Sequence, residues 1–214
     1  MIMIEHVANN FNFIQNKING ISKFTRIVVV SKKRSYDQIQ PLLQINHLDY
    51  GENQIQEALN KWPSIIASNK EIKLHLIGRL QSNKAKAAFN LFEFIHSLDS
   101  EKLAKIFSTL EQETGIKKKY FVQVNIGNEN QKAGILVDKL DQFLSYCVKQ
   151  LNLNILGLMC IPPINQDPKK YFIKLNEMNV NNGFKELSMG MSNDYIDAIQ
   201  CGSTCVRIGS AIFD

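Results

Sequence analysis

Short apolar runs alternate along the chain with longer stretches whose apolar residues recur every three or four positions. The short runs are rich in Val, Ile, Leu and Phe. They predict strands over Arg26–Ser31, His47–Tyr50, Ile72–Ile77, Leu91–His96, Tyr120–Ile126, Asn154–Met159, Glu186–Met189 and Thr204–Ile208. Between them, Glu52–Ser68 carries Ile55, Leu59 and Trp62 on one helical face. Ser100–Glu113 repeats Leu103, Ile106, Phe107 and Leu110, with Asp99 as a candidate N-cap, and Val137–Leu151 repeats Leu140, Phe143, Leu144 and Val148. Ile4–Ile18 reads as a leading helix, and the Asn/Lys-rich stretch Ile164–Phe184 as a helix with a loop. The first run, Arg26–Ser31, is apolar on both faces, which suits an interior parallel strand. Eight strand candidates alternating with helices predict right-handed βαβ units and a parallel sheet. The expected fold is α/β, a single-domain (β/α)8 TIM barrel over residues 1–214, at the short end of that fold's range. An open doubly wound sheet is the alternative, and no G-x-G-x-x-G follows the first strand to support a dinucleotide fold.

Composition narrows the function classes. With 44% hydrophobic and 21% charged residues the chain is ordinary for a soluble domain. No apolar stretch approaches the roughly 20 residues a membrane helix needs. The start, Met-Ile-Met-Ile-Glu-His, lacks a basic segment followed by an apolar one, so no secretory leader is expected and a cytoplasmic location is. Net charge is +5, but the Lys and Arg residues are scattered, without the basic stripe of a nucleic-acid binder. A mild positive balance suits attraction of small anions instead. Cys147, Cys160, Cys201 and Cys205 show no C-x-x-C spacing, and His6, His47, His75 and His96 are far apart, so no metal site is expected. The cysteines read as small buried hydrophobes.

In a barrel, chemistry sits where strands end. Lys32 follows the first strand and is itself followed by Lys33 and Arg34. Strand alternation places Lys32 on the face of Val28 and Val30, with Lys33 pointing the other way. A lysine ending an apolar strand beside two cations is expected to be poorly hydrated, which favours the neutral amine that a Schiff base to an aldehyde requires. Taken locally, a solvated basic cap is the more economical reading. The seventh strand runs into Ser188-Met-Gly190-Met-Ser192 and the eighth into Arg207-Ile-Gly209-Ser210. Small residues with free N–H groups and hydroxyls, opening helices after these two strands, make a phosphate cradle. A phosphate there and a lysine at the first strand fit pyridoxal 5'-phosphate (PLP), a phosphorylated aldehyde. Each element has a plainer counterpart: turn and cap for Ser188 and Ser192, strand terminator for Gly209-Ser210, core histidine for His75, packing for Met159. Arg207 lies within Cys-Val-Arg-Ile-Gly, where a buried charge needs a partner.

Six segments in order resemble one family. They are Val30-Ser31-Lys32; Gly51-Glu52-Asn53 with Gln56-Glu57; His75-Leu-Ile-Gly78 with Leu80-Gln81-Ser-Asn83-Lys84; Gly157-Leu-Met159; Ser188-Met-Gly-Met-Ser192; and Val206-Arg207-Ile-Gly209-Ser210-Ala-Ile-Phe213. Together they resemble the PLP homeostasis proteins, the YggS/PROSC family, from about Ile4 onward. The resemblance implies a barrel like the N-terminal domain of alanine racemase, with PLP held as a Schiff base on Lys32. It implies a phosphate site lined by Ser188, Ser192, Gly209 and Ser210, Arg207 facing the pyridine nitrogen, Asn53 near the ring, and His75 and Met159 at strand ends facing the cofactor. It also implies a carrier and regulator of PLP, with PLP-dependent apoenzymes as partners, in place of an enzyme with named catalytic residues. A cation beside the pyridine nitrogen disfavours ring protonation and weakens the ring as an electron sink. Racemases of this barrel type add a second domain that supplies a catalytic tyrosine, for which a chain ending at Asp214 leaves no room. The competing reading is a PLP enzyme, such as a small racemase or lyase, with Tyr50 or His75 as its second acid/base. A phosphate-binding barrel without PLP is a third.

Overall fold

The computed structural model describes residues 2–214; Met1 of the expected 1–214 domain lies outside the described residues. Eight strands close a barrel: β1 (Arg26–Val30), β2 (Asp49–Glu52), β3 (Lys73–Leu76), β4 (Phe94–Leu98), β5 (Lys119–Asn125), β6 (Ile155–Met159), β7 (Glu186–Met191) and β8 (Cys205–Ile208). Each pairs in parallel with the next, and β8 returns to β1 with Ile27 opposite Val206 and Val28 opposite Arg207. The two-residue strand Ile135–Leu136 adds to the edge of β5 beyond the closed ring. The barrel confirms the closed alternative over the open sheet. All eight expected strands are present.

Helices wrap the barrel: α1 (Ile2–Asn19), α2 (Tyr36–Gln44), α3 (Ile55–Ser68), α4 (Ala85–Leu91), α5 (Glu101–Thr114), α6 (Leu140–Ser145), α7 (Lys169–Asn181), α8 (Tyr195–Gln200) and α9 (Ser210–Phe213). The helix expected over Val137–Leu151 begins with a 3-10 turn at Val137–Lys139, continues as α6 and ends as a π-helical turn at Tyr146–Gln150. Helix α5 is capped by Ser100, not Asp99, because the Ser100 hydroxyl accepts from the Leu103 N–H at 3.4 Å. Loss of that cap in Ser100→Ala is expected to cost about 1 kcal/mol, read as a lowered urea midpoint; an unchanged midpoint would return the cap to Asp99.

The strand pleat divides the core in two. Ile27 and Val29 of β1 join the large apolar layer between barrel and helices, where Trp62, Phe89, Phe107 and Phe172 are fully buried. Val28 and Val30, on the other face, point into the barrel. The interior holds a small apolar cluster of Phe94, Phe121 and Met159, and packed against it several buried polar groups, including His75, His96 and Ser188, with Arg207 also buried. Close packing dictates which residues the strands accept. A Cβ on Gly51 would lie 2.8 Å from Val28 Cγ1, so β2 can run past β1 only with a bare Cα there. Cys147, Cys160 and Cys205 are buried as expected, while Cys201 is only partly so.

Candidate functional site

The C-terminal ends of the strands open into a cavity of about 1090 Å³. Six of the nine candidate residues line it: Lys32, Asn53, Ser192, Arg207, Gly209 and Ser210. Ser188, His75 and Met159 do not. Each is fully buried inside the barrel beneath the mouth: Ser188 under Arg207, His75 stacked on Phe94 at 4.2 Å between centroids, and Met159 within the Phe94–Phe121 cluster. The strands continue below the point where the cavity closes, and all three side chains lie in that interior part.

Lys32 departs from expectation in one respect. β1 ends at Val30, and Lys32 projects from the following turn as an exposed residue, so protein burial does not keep it dry. The same turn undoes the alternation argument. Lys33 adopts φ of +59°, a left-handed conformation costly for a residue with a Cβ, and its side chain also lines the cavity. A polar cluster behind β1 holds this turn. The ammonium of Lys61 donates to the Ser31 carbonyl at 2.7 Å, to Glu52 Oε1 at 3.0 Å and to Glu57 Oε1 at 2.8 Å. Glu57 Oε1 in turn accepts from the Lys33 N–H at 2.5 Å. Glu52 is fully buried and its Oε1 also accepts from Ser31 Oγ at 2.8 Å and Trp62 Nε1 at 2.9 Å. The backbone on both sides of Lys32 is thereby fixed by one lysine and two glutamates.

The second wall gathers backbone N–H donors. Gly190 takes φ of +93°, turning β7 toward α8 where a Cβ would meet Ala198 Cβ at 2.5 Å. Ser192 follows, and its Oγ accepts from the N–H groups of Gly209 and Ala211, each at 3.3 Å. Those two donors belong to the start of α9 and converge on the position of one oxygen, the geometry a phosphate oxygen would take up. Gly209 passes so close to β1 that a Cβ would lie 3.2 Å from the Val30 carbonyl. On the opposite rim, Gly78 lets the backbone of Asn53 approach, since a Cβ there would stand 2.2 Å from the Asn53 carbonyl oxygen. Lys32, Lys33, Arg34 and Arg207 outnumber Asp194 and Asp214 on the cavity wall, and the Arg34–Asp214 ion pair occupies one of each. The balance favours a negatively charged ligand.

Arg207 is 3% exposed, yet it makes no salt bridge among the described residues. It donates to Ser188 Oγ at 2.6 Å and to the Cys160 carbonyl at 2.9 Å. Burial lowers its pKa from the usual arginine value, although an arginine stays charged regardless. Below it, burial lowers both histidines: His75 falls below its ordinary value of 6.5 despite its hydrogen bond to Asp49, and His96 well below it, with neighbouring His75 and the charges of Arg207 and Arg26 adding to the effect. Burial would raise the Asp49 carboxyl, but its hydrogen bond to His75 and the nearby charge of Arg26 hold it below the usual carboxylate value. Tyr50 is fully buried, its hydroxyl has no partner among the described residues, and burial pushes its pKa up.

The family model for the alanine racemase N-terminal domain matches residues 2–214. The chain is 37% identical over 173 residues to the pyridoxal phosphate homeostasis protein of Aquifex aeolicus (strain VF5), covering 77% of this chain and 75% of that one. It is 33% identical over 220 residues to the pyridoxal phosphate homeostasis protein of Vibrio cholerae serotype O1 (strain ATCC 39315 / El Tor Inaba N16961), covering 98% and 93%. Among solved structures it superimposes on PipY of Synechococcus elongatus PCC7942, determined with PLP bound, with a TM-score of 0.88 and 28% identity over 97% of this chain and all of that one.

Proposed function

The chain belongs to the pyridoxal phosphate homeostasis protein family, built on the alanine racemase N-terminal domain, and from that premise we propose that it binds PLP at the barrel mouth through Lys32 and serves to hold and regulate the cofactor. The observation that carries this reading is one cavity with a lysine on the turn after β1 and, at the start of α9 after the neighbouring β8, the N–H donors of Gly209 and Ala211 converging on one point. An aldehyde and a phosphate on one small molecule match those two ends. Ser192, Gly209 and Ser210 would hold the phosphate, Lys32 the carbonyl carbon, Asn53 the ring edge, and Arg207 the pyridine nitrogen. Bound PLP supplies an electrophilic carbon and an aromatic electron sink. The residues present restrain that sink, because a permanent cation at the ring nitrogen opposes its protonation.

The carrier role is favoured over a racemase or lyase by where the second acid/base would have to come from. Tyr50 is buried between barrel and helices against Trp62, His75 is buried inside the barrel, and neither of these two candidates lines the cavity. PLP-dependent apoenzymes in the cytoplasm are the recipients this role implies. No helix among the described residues is long and apolar enough to cross a membrane.

The proposal is tested by titrating PLP into purified protein while following visible absorbance. A saturable band is expected. Ser192→Ala should preserve the band and weaken PLP about tenfold, the effect of one lost hydrogen bond to a charged group. PLP that saturates without any spectral change, or a Ser192→Ala variant with parental affinity, would remove the phosphate-and-lysine pairing.

A further inference from the structure

The interior of a closed barrel is ordinarily filled with layers of branched apolar side chains. Here an unbroken chain of hydrogen bonds runs through it. Arg207 donates to Ser188 Oγ at 2.6 Å; Ser188 Oγ meets His96 Nδ1 at 2.8 Å; His96 Nε2 meets His75 Nδ1 at 2.9 Å; and His75 Nε2 meets Asp49 Oδ1 at 3.0 Å. Five residues from β2, β3, β4, β7 and β8 take part. The chain starts at the cavity and ends at the opposite end of the barrel, where the Asp49 side chain is 17% exposed and lies 3.7 Å from Arg26.

The two ends fix the direction of every link. A guanidinium has no acceptor, so Ser188 Oγ must accept from Arg207. An ionised carboxylate has no donor, so the proton facing Asp49 must sit on His75 Nε2. With neutral rings, His75 Nδ1 is then an acceptor, His96 carries its proton on Nε2, and His96 Nδ1 accepts the Ser188 hydroxyl proton. The opposite ordering would aim a His75 lone pair at Asp49 and leave the buried Ser188 proton without an acceptor. Buried polar groups are costly unless all are satisfied, and only one arrangement satisfies all of these.

We propose that this directed relay is what holds Arg207 as a fixed, charged donor at the cavity: Ser188, His96 and His75 act as positioning residues, and Asp49, on the far side of the barrel, is the counter-charge. The consequence for the cofactor rests on the PLP-binding reading above; the relay itself does not. Arg207 needs no carboxylate beside it, so its remaining donors are left to face a ligand. A neighbouring carboxylate would instead neutralise the cation that keeps the ring nitrogen unprotonated. The relay supplies orientation from inside while the compensating charge stays remote.

The test is long-range ¹H–¹⁵N NMR on purified protein at neutral pH, with and without added PLP. In both conditions His75 and His96 are expected as neutral Nε2–H tautomers. A proton on Nδ1 of either ring, or an imidazolium at either, overturns the proposal. Asp49→Leu removes the far acceptor and should give a mixture of tautomers at His96, which Asp49 does not touch. Asp49→Asn, whose amide oxygen still accepts, should restore the single Nε2–H form. A His96 unaffected in Asp49→Leu would mean that the contacts are local packing and no relay exists. With PLP added, Asp49→Leu should shift the visible maximum and Asp49→Asn should not. Because the tautomers are read without cofactor, failure of the relay and failure of PLP binding are separable results.

Discussion

Lys32→Ala is expected to abolish covalent attachment of PLP and its visible band, and to weaken binding by at least about a hundredfold, or ~2.7 kcal/mol. The protein should stay folded, because Lys32 is an exposed turn residue whose truncation opens no cavity in the core. The residual affinity would come from the donors around Ser192 and from Arg207. Lys33→Ala is the control. Lys33 lines the same cavity, but its backbone is turned into the left-handed region and its N–H is held by Glu57. Lys33→Ala should keep the band. A visible band that survives in Lys32→Ala and disappears in Lys33→Ala would exchange the two assignments.

Lys61→Met carries the largest expected effect on stability, about 3 kcal/mol of destabilisation, seen as a lower urea midpoint. Methionine matches the lysine stem in length but leaves Glu52, a fully buried carboxylate, without its cation. Removing one partner of a buried pair costs more than the pair contributes, since the remaining charge stays in a poorly solvating site. The same substitution frees the Ser31 carbonyl and loosens Glu57 from the Lys33 N–H. PLP attachment should therefore slow as well. A surface substitution such as Lys70→Met, which removes an exposed lysine, should change neither quantity. Parental stability in Lys61→Met would show that the cluster behind β1 is solvated and does not fix the turn.

The eight strands were legible because barrel strands buried on both faces read as short continuous apolar runs. The errors lie where that signal is shared or interrupted. β2 is expected at His47–Tyr50 and found at Asp49–Glu52, because Gly51-Glu52 looks like a turn. Gly51 is there for clearance from Val28 and Glu52 for its donors, neither of which has a periodic signature. β4 is expected from Leu91 and begins at Phe94, since Leu91 ends α4. Helix α2 goes unmarked because Pro41 sits inside it, although its Ser35–Gln38 capping box was written in the sequence. At the site, the glycines and serines after β7 and β8 are legible as a turn with free N–H groups, and the structure brings those of Gly209 and Ala211 to Ser192 Oγ. The exposure of Lys32 is not legible, because β1 ends at Val30 and strand alternation does not extend into the turn that follows. The relay had no local signal at all. His75 and His96 each read as an isolated core histidine, and only strand register and barrel closure bring them to Asp49 and Ser188.

PLP is expected to attach to Lys32 and to no other lysine. Borohydride reduction of the PLP-loaded protein, followed by proteolysis and fragment-ion mass spectrometry, reads the attachment site directly. The expected result is a single pyridoxyl-modified lysine at position 32 of the peptide containing Lys32-Lys33. Modification at Lys33 or at a lysine outside the cavity, or no stable modification after reduction, would contradict it.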